Sequence, residues 1–195
     1  SRYSRLVACA VDGDGQATLW QRGEDDAVSS FRVPFRPWLL TTAELTAASW
    51  GGVGEVEELE GAGVFTRRVR FPDKNAYFEA LKALRASTGL SPSKPEAPYR
   101  VFSDLEQQCL IDLPARLFRG MTFGEIRRMQ LDIETHTTSG FEFPSAKRED
   151  DRIIVISLRD STGWEECLSA VDYGEKTMLK RLVECISERD PDVLE

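Results

Sequence analysis

The chain has a single histidine, His136, which excludes any chemistry that needs two imidazoles. Its four cysteines, Cys9, Cys109, Cys167 and Cys185, are scattered, with no Cys-x-x-Cys pair. A zinc site is therefore not expected, and reduced thiols in a cytosolic protein are. No apolar run approaches the roughly 20 residues of a membrane-spanning helix, and no segment reads as a secretory signal, so no membrane partner is expected. The basic excess of a self-sufficient nucleic-acid binder is also missing, because the formal charge is −8. The acidity is uneven: 15 basic and 17 acidic residues run up to Glu125, and 10 and 16 follow it.

What is present suits one or two domains with a real core in 195 residues. Arg5–Val11 and Ala17–Gln21 read as a hairpin around the turn-rich Asp12-Gly13-Asp14-Gly15-Gln16. Asp12-x-Asp14-Gly15 superficially looks like a calcium loop, but an EF-hand needs glutamate at its twelfth position, where Gly23 stands. Phe31–Thr41 contains Pro34 and Pro37 and should be an edge or interrupted strand. Thr42–Ser49 is a short helix candidate capped by Thr42, and Gly54–Leu59 and Val64–Phe71 follow as strands. Arg68 and Arg70 should share one face, as a phosphate-contacting patch or a solvated sheet surface. Asp73–Ala86 is a helix that Asp73 caps and Gly89 ends, and Asp104–Leu113 is a second. Ser91–Pro98 is loop. Strands interleaved with helices give an α/β or α+β fold.

The later segment opens on Met129-Gln130-Leu131-Asp132-Ile133-Glu134-Thr135, which reads as a strand. Alternation turns Met129, Leu131 and Ile133 one way and Gln130, Asp132 and Glu134 the other. Asp132 and Glu134 then stand roughly 7 Å apart along one face, a spacing that suits one divalent ion between them or two neighbouring ions. Thr135–Asp151 is a polar loop. The continuous apolar run Ile153-Ile154-Val155-Ile156 fits a central strand covered on both faces. Trp164–Leu168 is a third strand, and Gly174–Glu188 a helix with Met178, Leu179, Leu182, Val183 and Ile186 on one stripe. Val193-Leu194 begins a fourth strand.

Asp132-Ile133-Glu134-Thr135 resembles the first exonuclease motif of family B DNA polymerases. Leu117-Phe118-Arg119-Gly120-Met121-Thr122-Phe123 looks like its lead-in in archaeal and related bacterial members. Asp190-Pro191-Asp192-Val193-Leu194-Glu195 resembles the run-up to the second motif. The resemblance implies an N-terminal domain over 1–125 and, over 126–195, the start of a ribonuclease H-like 3′–5′ exonuclease domain. Three strands, a helix and a further strand is the order of that fold. It further implies Mg²⁺ or Mn²⁺ held by Asp132 and Glu134 as catalytic and metal-binding residues, with Glu134 also positioning the attacking water. The partners implied are DNA, as a single-stranded 3′ end and a template, and the remaining polymerase domains. The setting implied is cytoplasmic and nucleoid-associated. Two further aspartates of the family's site belong to motifs placed after the position of Glu195, and the chain opens on Ser1 rather than Met, as a trimmed tag or an excised fragment would. The isolated chain is therefore expected to be inactive. Two other readings stay open: a non-catalytic nucleic-acid-binding module in which Asp132-x-Glu134 is coincidental, and a stand-alone 3′–5′ nuclease.

Overall fold

Apolar alternation near the amino terminus closes an antiparallel meander of β1 (Leu6–Val11), β2 (Gln16–Arg22) and β3 (Val28–Pro34), in that order. The computed structural model describes residues 2–195, which fall into two compact units that divide between Gly120 and Met121. At the first hairpin the Asp12 carboxylate accepts the N–H groups of Asp14 (2.9 Å) and Gln16 (3.1 Å) and also pairs with Arg32. Gly15 supplies the positive φ of 74° that this turn requires. The residues that superficially resemble a calcium loop are thus a turn whose key carboxylate is already engaged.

Pro34 and Pro37 do interrupt their strand, and the interruption moves the chain from one sheet to the next. β4 (Trp38–Thr41) joins β5 (Glu55–Glu58), β6 (Arg67–Arg70) and β7 (Tyr99–Arg100) in the order β5-β6-β4-β7. The helix expected over Thr42–Ser49 is reduced to a 3₁₀ turn at Ala47–Trp50. The Thr42 N–H donates to the Pro98 carbonyl at 2.9 Å, which prolongs the sheet pairing through that residue, and the turn takes Thr46 as its N-cap instead. Arg68 and Arg70 share a face as expected. Both guanidiniums, however, bind Asp112 (3.1 and 2.6 Å), and Arg68 also binds Glu57 at 2.7 Å. That face is an internal ion-pair network rather than a free cationic patch.

α1 (Lys74–Thr88) starts where Asp73 accepts the Ala76 N–H at 2.8 Å and stops at left-handed Gly89. α2 (Leu105–Asp112) is capped by Asp104. Its Gln108, fully buried, ties the helix to the sheet: Oε1 accepts the Trp38 N–H at 2.8 Å, and Nε2 donates to the Phe102 carbonyl (2.7 Å) and the Tyr77 hydroxyl (3.3 Å). Burial pushes the Tyr77 phenol up to about 12, so it stays neutral beside that amide.

The second unit holds β8 (Arg128–His136), β9 (Arg152–Asp160), β10 (Glu165–Ser169), the short α3 (Ala170–Tyr173), α4 (Glu175–Arg189) and β11 (Val193–Leu194). The sheet order is β10-β9-β8-β11, with β8 antiparallel to β9 and parallel to β11. Three strands, the short α3, the long α4 and a fourth strand therefore follow one another, the expected order with one additional short helix. α4 presses Met178, Cys185, Leu182 and Ile186 onto Met129, Leu131, Ile156, Leu158 and Leu168. Leu179 and Val183, expected on the buried stripe, lie at its solvent edge, 39% and 63% exposed.

The apolar run Ile153–Ile156 is covered on one face only, contrary to the two-sided burial its sequence predicts. The pairs Thr135↔Ile153 and Glu134↔Val155 leave Ile154 as an extra, bulged residue, 38% exposed. The bulge resets the alternation, so that Ile153 and Ile156 both pack toward the core cluster under α4. Among the described residues, no helix is long and apolar enough to cross a membrane. Replacing Gln108 by leucine should leave the Trp38 N–H buried without a partner, lowering stability by about 1–3 kcal/mol. Urea titration followed by tryptophan fluorescence would read this as an earlier midpoint with an unchanged slope.

Candidate functional site

β8 carries the candidate residues: β9 pairs with it from Met129 to His136, whereas β11 meets it only from Arg128 to Leu131, before Asp132 and Glu134. Its Met129 and Leu131 belong to the core cluster under α4, which turns Gln130, Asp132 and Glu134 to the face that α4 leaves open. Strand register lays neighbours beside them in rows. Asp132 pairs with Ser157, which pairs with Cys167, while Gln130 pairs with Arg159, which pairs with Glu165. These six residues line an open trough of about 670 Å³.

The two carboxylates differ from the other acidic groups nearby. Among the described residues, neither Asp132 nor Glu134 takes part in an ion pair or side-chain hydrogen bond, and both are exposed. By contrast, Asp192 accepts the Arg127 N–H at 2.8 Å, and Glu166 is held by Arg181 at 3.0 Å. Asp151 gathers the loop after β8 by accepting the N–H groups of Thr138 and Ser145, each at 2.7 Å. Asp132 and Glu134 are thus free to bind an external ion. Their hard oxygens suit Mg²⁺ or Mn²⁺, and Mg²⁺ is commonly held by one or two carboxylates plus substrate phosphates. No group of three or more His, Cys, Asp or Glu positioned for a metal exists among the described residues. Asp132 and Glu134 are two carboxylates and fall short of such a group, and His136 stands exposed at the end of β8.

β11 bears directly on this face. It runs parallel to β8 in the register Val193↔Arg128 and Leu194↔Met129, and the Leu131 N–H donates to the Glu195 carbonyl at 2.8 Å. Successive residues of that strand thus climb toward the level of Asp132.

One cluster at the edge of this face gives no signal in the sequence beyond a turn. Asp160 accepts from the Thr162 N–H (2.8 Å), the Thr162 hydroxyl (2.6 Å), the Trp164 N–H (3.1 Å) and Arg189 Nε (2.7 Å), while Arg189 stacks 5.1 Å from the Trp164 ring. Burial would raise the Asp160 carboxyl, but the Thr162 hydroxyl and Arg189 outweigh it and hold it at about 2. Ser157, Arg159 and Cys167 also escape sequence reading as members of the face, because only the pairing register brings them there.

Asp132→Ala and Glu134→Ala should each leave stability within about 0.5 kcal/mol of the parent, as expected for exposed groups with no partner. Asp160→Asn should lower it. Because the folded Asp160 titrates near 2 and an unfolded aspartate near 4, its contribution is complete above about pH 4 and lost as the pH falls through 2. The gap in thermal midpoint between parent and Asp160→Asn should therefore narrow over that interval, measurable by circular dichroism melts.

No family model and no curated protein matches this chain. Among solved structures, its fold is similar to that of the family B DNA polymerase from the hyperthermophilic archaeon Pyrobaculum calidifontis, with a TM-score of 0.57 and 18% sequence identity. The match covers 96% of this chain and 29% of the polymerase, so the chain spans less than a third of that protein's length. Across nearly all of its residues, the chain shares its fold with part of an archaeal family B DNA polymerase.

Proposed function

We propose that the chain is the amino-terminal part of a family B DNA polymerase. In this reading residues 1–125 form its N-terminal domain and 126–195 the beginning of a 3′–5′ proofreading exonuclease domain. The observation that carries it is the placement of Asp132 and Glu134. They are unpartnered on the open face of the strand around which a sheet of ribonuclease H-like order is built. The fold likeness over 96% of the chain supports the same assignment. The change of compact unit falls at Gly120/Met121, close to the proposed domain boundary.

Asp132 would ligate a divalent ion, and Glu134 would ligate it and orient the attacking water. Bound ions would supply an activated water and stabilise the leaving 3′-oxygen. The open trough leaves room for the end of a single strand, whose phosphate would complete the coordination. Two carboxylates make a weak site alone. In a longer parent, the β11 register continued past Glu195 would bring the next positions beside Asp132, where further ligands would be well placed. Polymerisation, DNA as the partner and a cytoplasmic, nucleoid-associated setting belong to the parent protein in this reading.

The test is Mg²⁺- or Mn²⁺-dependent degradation of a labelled single strand by this chain and by a version extended beyond Glu195. Activity should appear only in the extension, and Asp132→Ala or Glu134→Ala should reduce it by at least about 100-fold, the scale seen when a positioned electrostatic group is removed. Degradation by the extension that survives both substitutions would overturn the site assignment. Inactivity of the extension, with single-stranded DNA binding retained, would favour a non-catalytic module.

A further inference from the structure

Beside the open trough, the start of β8 and the turn between β9 and β10 enclose a second, polar pocket of about 400 Å³. Arg128, Gln130, Arg159 and the turn residues Asp160, Ser161, Thr162 and Gly163 line it. Gln130 and Arg159 also line the trough, so the two spaces share a wall. Alternation along β8 puts Arg128 on the face of Gln130, Asp132 and Glu134, because Met129 is core. At about 3.4 Å per residue, Gln130 and Arg128 stand roughly 7 and 14 Å before Asp132 on that face.

Most polar groups of this pocket are already committed. Arg189 neutralises Asp160 at 2.7 Å. The Ser161 N–H donates to the Arg128 carbonyl at 2.8 Å, and the Ser161 hydroxyl accepts the Arg128 N–H at 3.2 Å. The Arg128 side chain is different. Its guanidinium lies over the Phe123 ring at 3.8 Å, and its Nε is buried without a hydrogen-bond partner. Among the described residues no carboxylate pairs with it, although 16 acidic and 10 basic residues follow Glu125 and Arg148, Arg181 and Arg189 each hold a carboxylate. Arg159 meets only Glu165, at 3.3 Å, in a pair whose members are 64% and 63% exposed. Plain packing of an arginine on a sheet face accounts for the ring contact, but not for a buried, unpartnered Nε beside a polar cavity.

We propose that this pocket is a phosphate subsite, in which Arg128, with Arg159 and Gln130, holds an internal phosphodiester of the single strand whose 3′ end lies over Asp132 and Glu134. The inference rests on the exonuclease reading above. The planar guanidinium fork of Arg128 matches the two non-bridging oxygens of a phosphodiester, and the Phe123 ring beneath it fixes its orientation before the strand arrives. Arg159 can exchange Glu165 for the phosphate, because an ion pair so exposed is weakly held. Contacts of this kind position a strand without reading its sequence, and here they offset the repulsion between its phosphates and the two carboxylates of the face.

The experiment measures fluorescence anisotropy of a labelled oligothymidylate with this chain in EDTA, across a series of salt concentrations. The chain should bind it, and Arg128→Gln should weaken binding by roughly 10-fold, the scale of one hydrogen bond to a charged group. The slope of log affinity against log salt should fall by about 0.7, the share of one phosphate contact on a single strand. Arg159→Gln should act in the same direction, and Arg128→Lys should restore the slope. Lys82→Gln, an equal change of charge on the exposed side of α1, should alter neither quantity. Should Arg128→Gln fail to fold, Arg159→Gln against Lys82→Gln decides. No binding by the parent chain, an equal loss in Lys82→Gln, or weaker binding with an unchanged slope would each overturn the proposal. Displacement of the oligonucleotide by thymidine monophosphate, beyond that by chloride at equal ionic strength, would assign the pocket to a free nucleotide and overturn the strand subsite. With metal removed, these outcomes are independent of hydrolysis by the extended chain, on which the exonuclease reading stands or falls.

Discussion

The second unit depends on the pairing of β8 with β9. A strand held in a ladder commits its side chains to two opposite faces. Antiparallel β9 imposes that commitment from Met129 to His136, parallel β11 reinforces it at the start of the strand, and α4 decides which face becomes core. The polar face then follows from the alternation of Met129-Gln130-Leu131-Asp132. Asp132 and Glu134 are presented on a strand that β9 holds in place, although neither contributes a side-chain contact to that pairing.

Gln108 has a comparable role in the first unit, by different means. A buried amide that satisfies two backbone groups and a phenol gives α2 a fixed height on the sheet. The same helix supplies Asp112 to Arg68 and Arg70 and Glu106 to Val11. Polar groups thus set the register of a contact whose strength comes from apolar burial around Trp38, Phe71 and Leu84.

Local chemistry made some elements legible in the sequence. α1 is bracketed by Asp73 and Gly89, residues that act on their own backbone and need no tertiary partner. The placement of Asp132 and Glu134 on one face follows from strand periodicity alone. What the sequence conceals depends on distant groups. Thr42 looks like a cap until its N–H meets Pro98, and Arg68 and Arg70 look available until Asp112, more than 40 residues away, reaches them. The Ile154 bulge is invisible in an unbroken apolar run because it is a property of the pairing with β8. The membership of Ser157, Arg159 and Cys167 in the open face is concealed for the same reason.

The one-sided cover of this sheet has an evolutionary consequence. Along β8, residues answerable to folding and residues available for chemistry alternate, so selection can act on one set with little effect on the other. Exchanges at Gln130, Asp132 or Glu134 pass unnoticed by the packing beneath α4, whereas exchanges at Met129 or Leu131 do not. A lineage can therefore acquire, retune or discard an activity on this face while its architecture stays recognisable. Such decoupling lets shared folds outlast shared sequence.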